Sequence, residues 1–198
     1  MTRGWAVGQR RELAPSPANG EARLIARVAN GDLRAFEELY RSYHQRLTRF
    51  IVNMIHRPHV AEEVLNDTML VVWRRARAYD GASKVSTWIF AIAYRRALSA
   101  MRGHREPMED HDADKRESPE DGPERLVGRG MVHRRLVEAM GELSADHRAV
   151  VDLTYFHEMD YREIAEVMGC PLDTVKTRMY HARRHLRRVL PGELVDWL

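Results

Sequence analysis

The side chains best suited to chemistry in this sequence are cationic, hydroxyl-bearing and aromatic groups near the C-terminus. On a helical wheel, Val175, Met179, Ala182 and Leu186 form one apolar stripe, which predicts the buried face of an amphipathic helix. The polar residues opposite this stripe or flanking it are Thr174, Lys176, Thr177, Arg178, Tyr180, His181, Arg183, Arg184 and Arg188. Cationic groups bind phosphates, and polar side chains bind base edges. This face therefore suits a helix that enters the major groove of DNA.

A helix-turn-helix is the unit that would position this face. Helical spacing predicts a first helix over about 161–168. Gly169 can adopt the left-handed conformation of a tight turn, and Pro171 suits the start of the next helix. Asp173 or Thr174 can cap that second helix. The basic face would then lie on the second, recognition helix.

Two other interpretations of this segment are weaker. A plain amphipathic hairpin would share the apolar stripe, but it does not require the glycine turn together with the ARRHLRR sequence at 182–188. A zinc site of Cys170, His181 and His185 is disfavoured, because the tight Cys and His spacing of zinc sites is missing. We therefore expect DNA binding and no metal.

Charge is distributed unevenly along the 198 residues. The net charge is +3 and the pI is about 9.2. Residues 106–124 hold nine acidic and two basic residues, a net charge of −7, which leaves +10 for the rest of the chain. A basic body of this kind suggests a polyanionic partner.

Several protein classes are disfavoured. The single cysteine, Cys170, permits no intrachain disulfide and favours a reducing compartment. We find no run of about 18 apolar residues and no apolar core of a signal peptide, so we expect a cytoplasmic protein without membrane insertion. A P-loop, a nucleotide-binding glycine fingerprint, an HExxH motif and a serine elbow are all missing. We expect neither enzyme activity nor a cofactor.

Helical spacing predicts an all-α fold of two small helical domains joined by a flexible acidic linker. Strand-like alternation is not found, and the linker carries too few apolar residues to order itself. The expected segments are a flexible tail over 1–20, a first domain over 21–102, the linker over 103–125, a helix-turn-helix domain over 126–190 and a C-terminal tail over 191–198.

A helix that begins near Ser86 combines aromatic and basic side chains. Thr87, Tyr94 and Arg95 are expected to point away from its apolar face, with Trp88 and Phe90 at the margins. Rings stack on unpaired bases and cations bind phosphates, so this helix suits single-stranded DNA. The alternative is that Trp88 and Phe90 are core residues.

Two segments carry a family resemblance. Residues 143–188, LSADHRAVVDLTYFHEMDYREIAEVMGCPLDTVKTRMYHARRHLRR, resemble the −35-binding domain of extracytoplasmic-function (ECF) sigma factors. Asp173 stands where that family usually has glycine, and His181 where it often has arginine. Residues 61–102 are similar to the family's polymerase-binding and −10-binding region, with Asn66-Asp67 in place of the commoner Gln-Glu and Met69 in place of Phe.

The resemblance implies roles for three sets of residues. The polar residues on the recognition helix named above would bind the −35 element. Residues expected at the −10 element, where a loop over 79–85 would capture a flipped base, are Tyr79, Lys84, Ser86, Thr87, Trp88, Phe90, Tyr94, Arg95 and Arg96. Residues expected to bind polymerase are Glu63, Val64, Asn66, Asp67, Met69, Leu70 and Trp73.

The implied function is that of a sigma factor, which recruits core RNA polymerase to promoter DNA and helps to melt it. The resemblance also implies an anti-sigma factor as a partner. The alternative is a stand-alone helix-turn-helix regulator. Such a regulator would not need the Thr87-Trp88 segment of the first domain.

Overall fold

The structure is a computed structural model that describes residues 17–103 and 135–190. Within these two ranges every regular element is helical, as the sequence predicted. The first range contains α1 (Pro17–Ala29), α2 (Leu33–Ile55), α3 (Pro58–Arg75), a 3-10 turn (Ala76–Ala78) and α4 (Val85–Gly103). The second contains a helical segment at 135–141, α5 (Ala145–Tyr155), α6 (Tyr161–Met168) and α7 (Leu172–Val189).

Local residues set the helix boundaries of the first domain. The Asp32 carboxylate accepts hydrogen bonds from the amides of Arg34 (3.0 Å) and Ala35 (3.1 Å), which caps α2. His56 ends α2 in the left-handed conformation. α1 begins at Pro17, within the last residues of the segment expected as a tail over 1–20. Proline is favoured at the first helical position because its missing N–H has no helical partner there.

The apolar stripes of α2, α3 and α4 form the core of the first domain. Leu39, Leu47, Phe50, Ile51 and Met54 of α2 are fully buried. α3 packs against both α2 and α4, and α1 closes the bundle on α2. This bundle fixes the orientation of α4.

The second domain has the predicted helix-turn-helix. Asp160 caps α6 in a capping box with Glu163, and Gly169 ends α6 in the left-handed conformation with φ of 63°. The predicted cap of α7 was wrong. Pro171 is the capping residue, and Asp173 lies in the first helical turn, where its carboxylate pairs with the Lys176 ammonium at 3.0 Å.

The two domains pack against each other. α4 lies along α6, and α2 contacts α5, so the buried residues of both domains form one continuous cluster. The acidic linker, apart from Gly103 at the end of α4, and the tail over 191–198 lie outside the described residues. The boundaries expected for them stay predictions.

Candidate nucleic-acid interface

The recognition helix α7 presents the basic face that its sequence predicts. Val175, Met179, Ala182 and Leu186 are at most 2% exposed and hold α7 to the domain. The residues of the predicted −35 set that are exposed are Lys176, Thr177, Tyr180, His181, Arg184 and Arg188. An uncovered face that combines cations with hydroxyl and imidazole groups can bind both phosphates and base edges.

Two arginines of the same set are hydrogen-bonded to other residues of this chain. The Arg183 guanidinium donates through Nη2 and Nε to the Tyr155 hydroxyl, at 2.7 and 3.0 Å. The Arg178 guanidinium donates to the Asp146 carboxylate, and its Nη1 lies 3.6 Å from Cys170 Sγ. Both arginines, like Thr174, are half-buried. Tyr155 was missed in the sequence because it lies far from α7 along the chain.

A basic pocket of about 340 Å³ lies beside α7. Its lining residues are Tyr161, Lys176, Met179, Tyr180, Arg183, Arg184 and Arg187. Four cations around one concavity can hold a phosphate group. Arg187 was not in the predicted set, although it lies four residues after Arg183 on the same side of the helix, a spacing that the sequence already contained.

The loop before α4 brings together several residues of the predicted −10 set. The Tyr79 hydroxyl donates to the Ser83 carbonyl at 2.5 Å, and its ring lies 5.5 Å from that of Trp88. Lys84, Arg95 and Arg96 are exposed, while Ser86 is half-buried. Trp88 is also half-buried, so its exposure lies between that of a residue at the helix margin and that of a core residue.

Three residues of this set are buried. Thr87, Phe90 and Tyr94 are 2%, 0% and 4% exposed. The predictions that Thr87 and Tyr94 point away from the core were wrong for this arrangement, because the second domain packs along α4. Phe90 is a core residue, as the alternative expected, and its ring lies 5.4 Å from that of Phe50 in its own domain. The contact of all three with DNA stays a prediction.

The buried environment of Tyr94 has an electrostatic consequence. Its hydroxyl donates to Asp146 Oδ1 at 2.6 Å. Burial, together with the Asp146 carboxylate, raises the pKa of the Tyr94 hydroxyl far above its usual value. The Tyr94 hydroxyl therefore stays protonated at every physiological pH and remains a hydrogen-bond donor to Asp146.

The predicted polymerase-binding set divides into a surface and a core group. Glu63, Asn66, Asp67 and Leu70 are exposed on α3, and Trp73 is half-buried with its ring 5.1 Å from that of Phe36. Val64 and Met69 are 5% and 2% exposed and pack in the core. Both lie on the side of α3 that faces the bundle, so their contact with polymerase is not supported by this arrangement and stays a prediction.

Neither a metal centre nor a transmembrane span is found where the structure can be described. In residues 17–103 and 135–190, no three His, Cys, Asp or Glu side chains are grouped so as to hold a metal ion. Within the same ranges, no helix is both long and apolar enough to cross a membrane.

Family models match both halves of the chain. Residues 39–106 match "Sigma-70 region 2" and residues 133–186 match "Sigma-70, region 4". The chain is 30% identical over 172 residues to the "ECF RNA polymerase sigma factor SigK" of Mycobacterium sp., covering 84% of this chain and 89% of that protein. It is 29% identical over 180 residues to the "RNA polymerase sigma-H factor" of Pseudomonas aeruginosa, covering 86% and 93%.

Solved structures share the fold. CnrH, in complex with the cytosolic domain of CnrY, superposes with a TM-score of 0.64 at 22% identity and covers 84% of this chain and 94% of its own. The sigma factor RpoE of Bartonella quintana, in complex with the anti-sigma factor NepR, gives 0.64 at 20% identity and covers 78% and 95%. The exposed basic recognition helix, the two sigma-region matches and the extent of these similarities together establish that the chain belongs to the ECF family of RNA polymerase sigma factors, the non-catalytic subunits that start transcription at promoters.

Proposed function

We propose that this sigma factor reads the −35 element with the exposed face of α7. The observation that carries this role is the uncovered row of Lys176, Thr177, Tyr180, His181 and Arg184, on a helix whose opposite side is anchored in the core. The N-terminal residues of a recognition helix meet base edges. Lys176 and Thr177 therefore read bases, and Arg184 and Arg188 hold phosphates.

The basic pocket beside α7 supports the same role. Arg183 is oriented by the Tyr155 hydroxyl, so that less side-chain freedom is lost when the guanidinium meets a phosphate. Arg187 and Tyr161 belong to this phosphate site together with Arg183 and Arg184.

The −10 element is bound by the loop over 79–85 and by α4. Tyr79 and Trp88 pack on each other beside the exposed cations Lys84, Arg95 and Arg96. Aromatic rings and cations in this combination suit a single strand, with bases stacked and phosphates paired. Thr87, Phe90 and Tyr94 join this surface once the second domain moves away from α4.

Core RNA polymerase is bound by the exposed side of α3. Glu63, Asn66 and Asp67 supply acidic and polar groups there, and Leu70 adds an apolar side chain that is 42% exposed. A surface patch that combines charged side chains with an exposed leucine is better suited to contact with another protein than to exposure to water.

The chain acts in the cytoplasm, without enzymatic activity or a cofactor, under the control of an anti-sigma factor. The support for this partner is that two proteins of the same fold, CnrH and the Bartonella RpoE, are described in complexes with CnrY and the anti-sigma factor NepR.

Run-off transcription on a genomic promoter library, with bacterial core RNA polymerase and this protein, tests the proposal. We expect discrete start sites that depend on the protein and share two upstream elements. The matched variants are Arg184→Ala on α7 and Arg23→Ala on the exposed side of α1. Transcript yield should fall with Arg184→Ala and stay unchanged with Arg23→Ala. DNA binding without protein-dependent transcripts would favour a stand-alone regulator.

A further inference from the structure

The recognition helix α7 carries one acidic side chain on its basic face. Asp173 is the only acidic residue of α7, which also contains six lysine and arginine residues. At 3.6 residues per turn, Asp173 shares with Thr177 and Tyr180 the side of the helix that lies opposite the buried apolar stripe. Its side chain is 90% exposed. Asp173 therefore lies at the N-terminal end of the face that is proposed to read bases, where a recognition helix meets base edges.

The fold makes little use of the Asp173 carboxylate. Pro171 is the capping residue of α7, and no side chain caps this helix. The Thr177 hydroxyl donates to the backbone carbonyl of Asp173 at 2.9 Å and not to its carboxylate. Oδ1 pairs with the Lys176 ammonium at 3.0 Å, and exposed ion pairs of this kind contribute little to stability. Within the part of the chain that the structure describes, no donor reaches Oδ2, which is therefore available to an external ligand.

An acidic side chain on a DNA-reading face is restricted in what it can bind. A carboxylate only accepts hydrogen bonds, so phosphate oxygens and the O6 and N7 acceptors of guanine repel it. Thymine presents another acceptor, O4, beside its methyl group. Adenine has a donor, N6, but its own N7 and the O4 of the paired thymine flank that donor on both sides. Cytosine N4 is therefore the base-edge donor that suits Asp173 best.

Lys176 extends the match to the whole base pair. In the major groove, a C·G pair presents the cytosine N4 amino group beside the O6 and N7 acceptors of guanine. The carboxylate of Asp173 and the ammonium of Lys176 present an acceptor and a donor side by side, with 3.0 Å between Oδ1 and Nζ. The ion pair and the base pair are thus complementary in the order of donor and acceptor. Lysine bound to guanine O6 and N7 is also among the commonest specific contacts to DNA.

We propose that Asp173 is a specificity-determining residue, which accepts a hydrogen bond from N4 of a cytosine in the −35 element while Lys176 binds the paired guanine. This inference rests on the proposed function, because it names the base pair that the same face of α7 reads. The contact distinguishes this chain from ECF sigma factors with glycine at the position, because glycine has no side chain to accept from a base. The carboxylate also weakens the attraction of α7 for phosphates, so selectivity rises while general affinity falls.

Transcription by the complex of core RNA polymerase and the full chain tests this role. The templates are variants of one promoter identified by run-off transcription, in which each base pair of the −35 element is replaced in turn by the other three. At one position, the parent should prefer cytosine by about fivefold or more. Asp173→Ala should lose this preference and no other, with a higher yield from templates that lack the cytosine. Sequence preference is the readout, because a role in helix stability alone would leave it unchanged.

Two further variants sharpen the test. Asp173→Asn replaces the carboxylate with an amide, which donates as well as accepts. The preferred base should therefore shift from cytosine towards adenine, whose N6 and N7 match an amide. Glu138→Ala is the matched control, since it removes one negative charge from an exposed position outside α7. It should retain every preference of the parent.

A parent without a cytosine preference in the −35 element, or Asp173→Ala with every preference of the parent, would overturn the assignment. The same holds if Glu138→Ala changes the preference as Asp173→Ala does, because the effect would then come from net charge. Selective transcription that does not depend on Asp173 would contradict this inference alone. A parent that directs no transcripts would contradict the proposed function and this inference together.

Discussion

Individual side chains in this protein form hydrogen bonds with groups that are distant in the sequence. Arg148 is the clearest case, since its buried guanidinium donates to five backbone carbonyls: those of Asn53, Met54, Met140, Gly141 and Leu143. These acceptors lie near the end of α2 and around the end of the 135–141 helical segment, where carbonyls lack the amide of a following helical turn. Among them, the Met140 carbonyl also accepts from the Leu143 amide at 3.2 Å. One side chain therefore satisfies backbone groups of both domains.

Replacing Arg148 should destabilise the protein. Arg148→Met retains the length of the stem but leaves buried carbonyls without donors, and we expect a loss of about 3 kcal/mol in the free energy of unfolding. Urea denaturation measures it. Arg162→Met, at an exposed position on α6, should change the value by less than about 0.5 kcal/mol. Equal stability of the two variants would mean that water replaces the guanidinium.

The two ends of the basic face should respond differently to substitution. Lys176→Ala removes a proposed base contact, and we expect a loss of about 1–3 kcal/mol in the free energy of binding with weaker discrimination between −35 sequences. Arg188→Ala removes a proposed phosphate contact, so binding should weaken on all sequences and the salt slope should fall by about 1. Fluorescence anisotropy on duplexes at several salt concentrations separates the two. Identical losses on every sequence with Lys176→Ala would contradict its role as a base reader.

At the scale of elements, the helix-turn-helix depends on how α6 begins and ends. The capping box of Asp160 and Glu163 starts α6, with the Asp160 carboxylate 2.8 Å from the amide nitrogen of Arg162. Gly169 ends it with a positive φ, which lets the chain turn into α7. The angle between the two helices follows from this turn, and that angle places the basic face outwards.

Gly169→Ala should cost about 1 kcal/mol in the free energy of unfolding, because a side chain disfavours the left-handed conformation. No heavy atom lies within 4 Å of the added Cβ, so the cost comes from the backbone alone. Gly141→Ala is the matched control, since it also meets open space but has no positive φ. Thermal denaturation compares the two. A Gly169→Ala protein as stable as the Gly141→Ala protein would show that the turn tolerates a side chain.

At the scale of the whole molecule, stability should depend on pH through histidines near the domain interface. Burial and the neighbouring Arg148 lower the pKa of His56, and burial with His181 and Arg178 lowers that of His147. The unfolded chain then binds more protons than the folded protein below the ordinary value of 6.5. The free energy of unfolding should therefore fall as the pH drops from that value towards the lowered pKa values.

Urea denaturation at about pH 7.5 and about pH 5.5 checks this dependence. The double variant His56→Asn/His147→Gln cannot take up these two protons, so it should lose less stability than the parent on acidification. Asparagine also tolerates the left-handed backbone at position 56, where φ is 57°. Equal losses in parent and variant would assign the pH dependence to other groups.

Much of the fold and of the −35 surface could be predicted from short-range pattern. The apolar stripe of Val175, Met179, Ala182 and Leu186 determined which side of α7 is buried, because residues three and four apart share one face of a helix. Gly169 likewise determined the turn, through its own conformational freedom. These properties depend on residues within one or two helical turns, so the amino-acid sequence alone carries them.

Only the tertiary structure decided which helix faces of the two domains are buried against each other. Tyr94 and Asp146 are 52 positions apart, and Arg148 and Met54 are 94 apart, so neither contact can be predicted from local spacing in the sequence. The burial of Thr87, Phe90 and Tyr94 likewise depends on α6 packing along α4. Helical periodicity identifies which residues share a face, but it does not identify what covers that face. That depends on long-range packing, which here hides part of one proposed DNA-binding surface and leaves the other open.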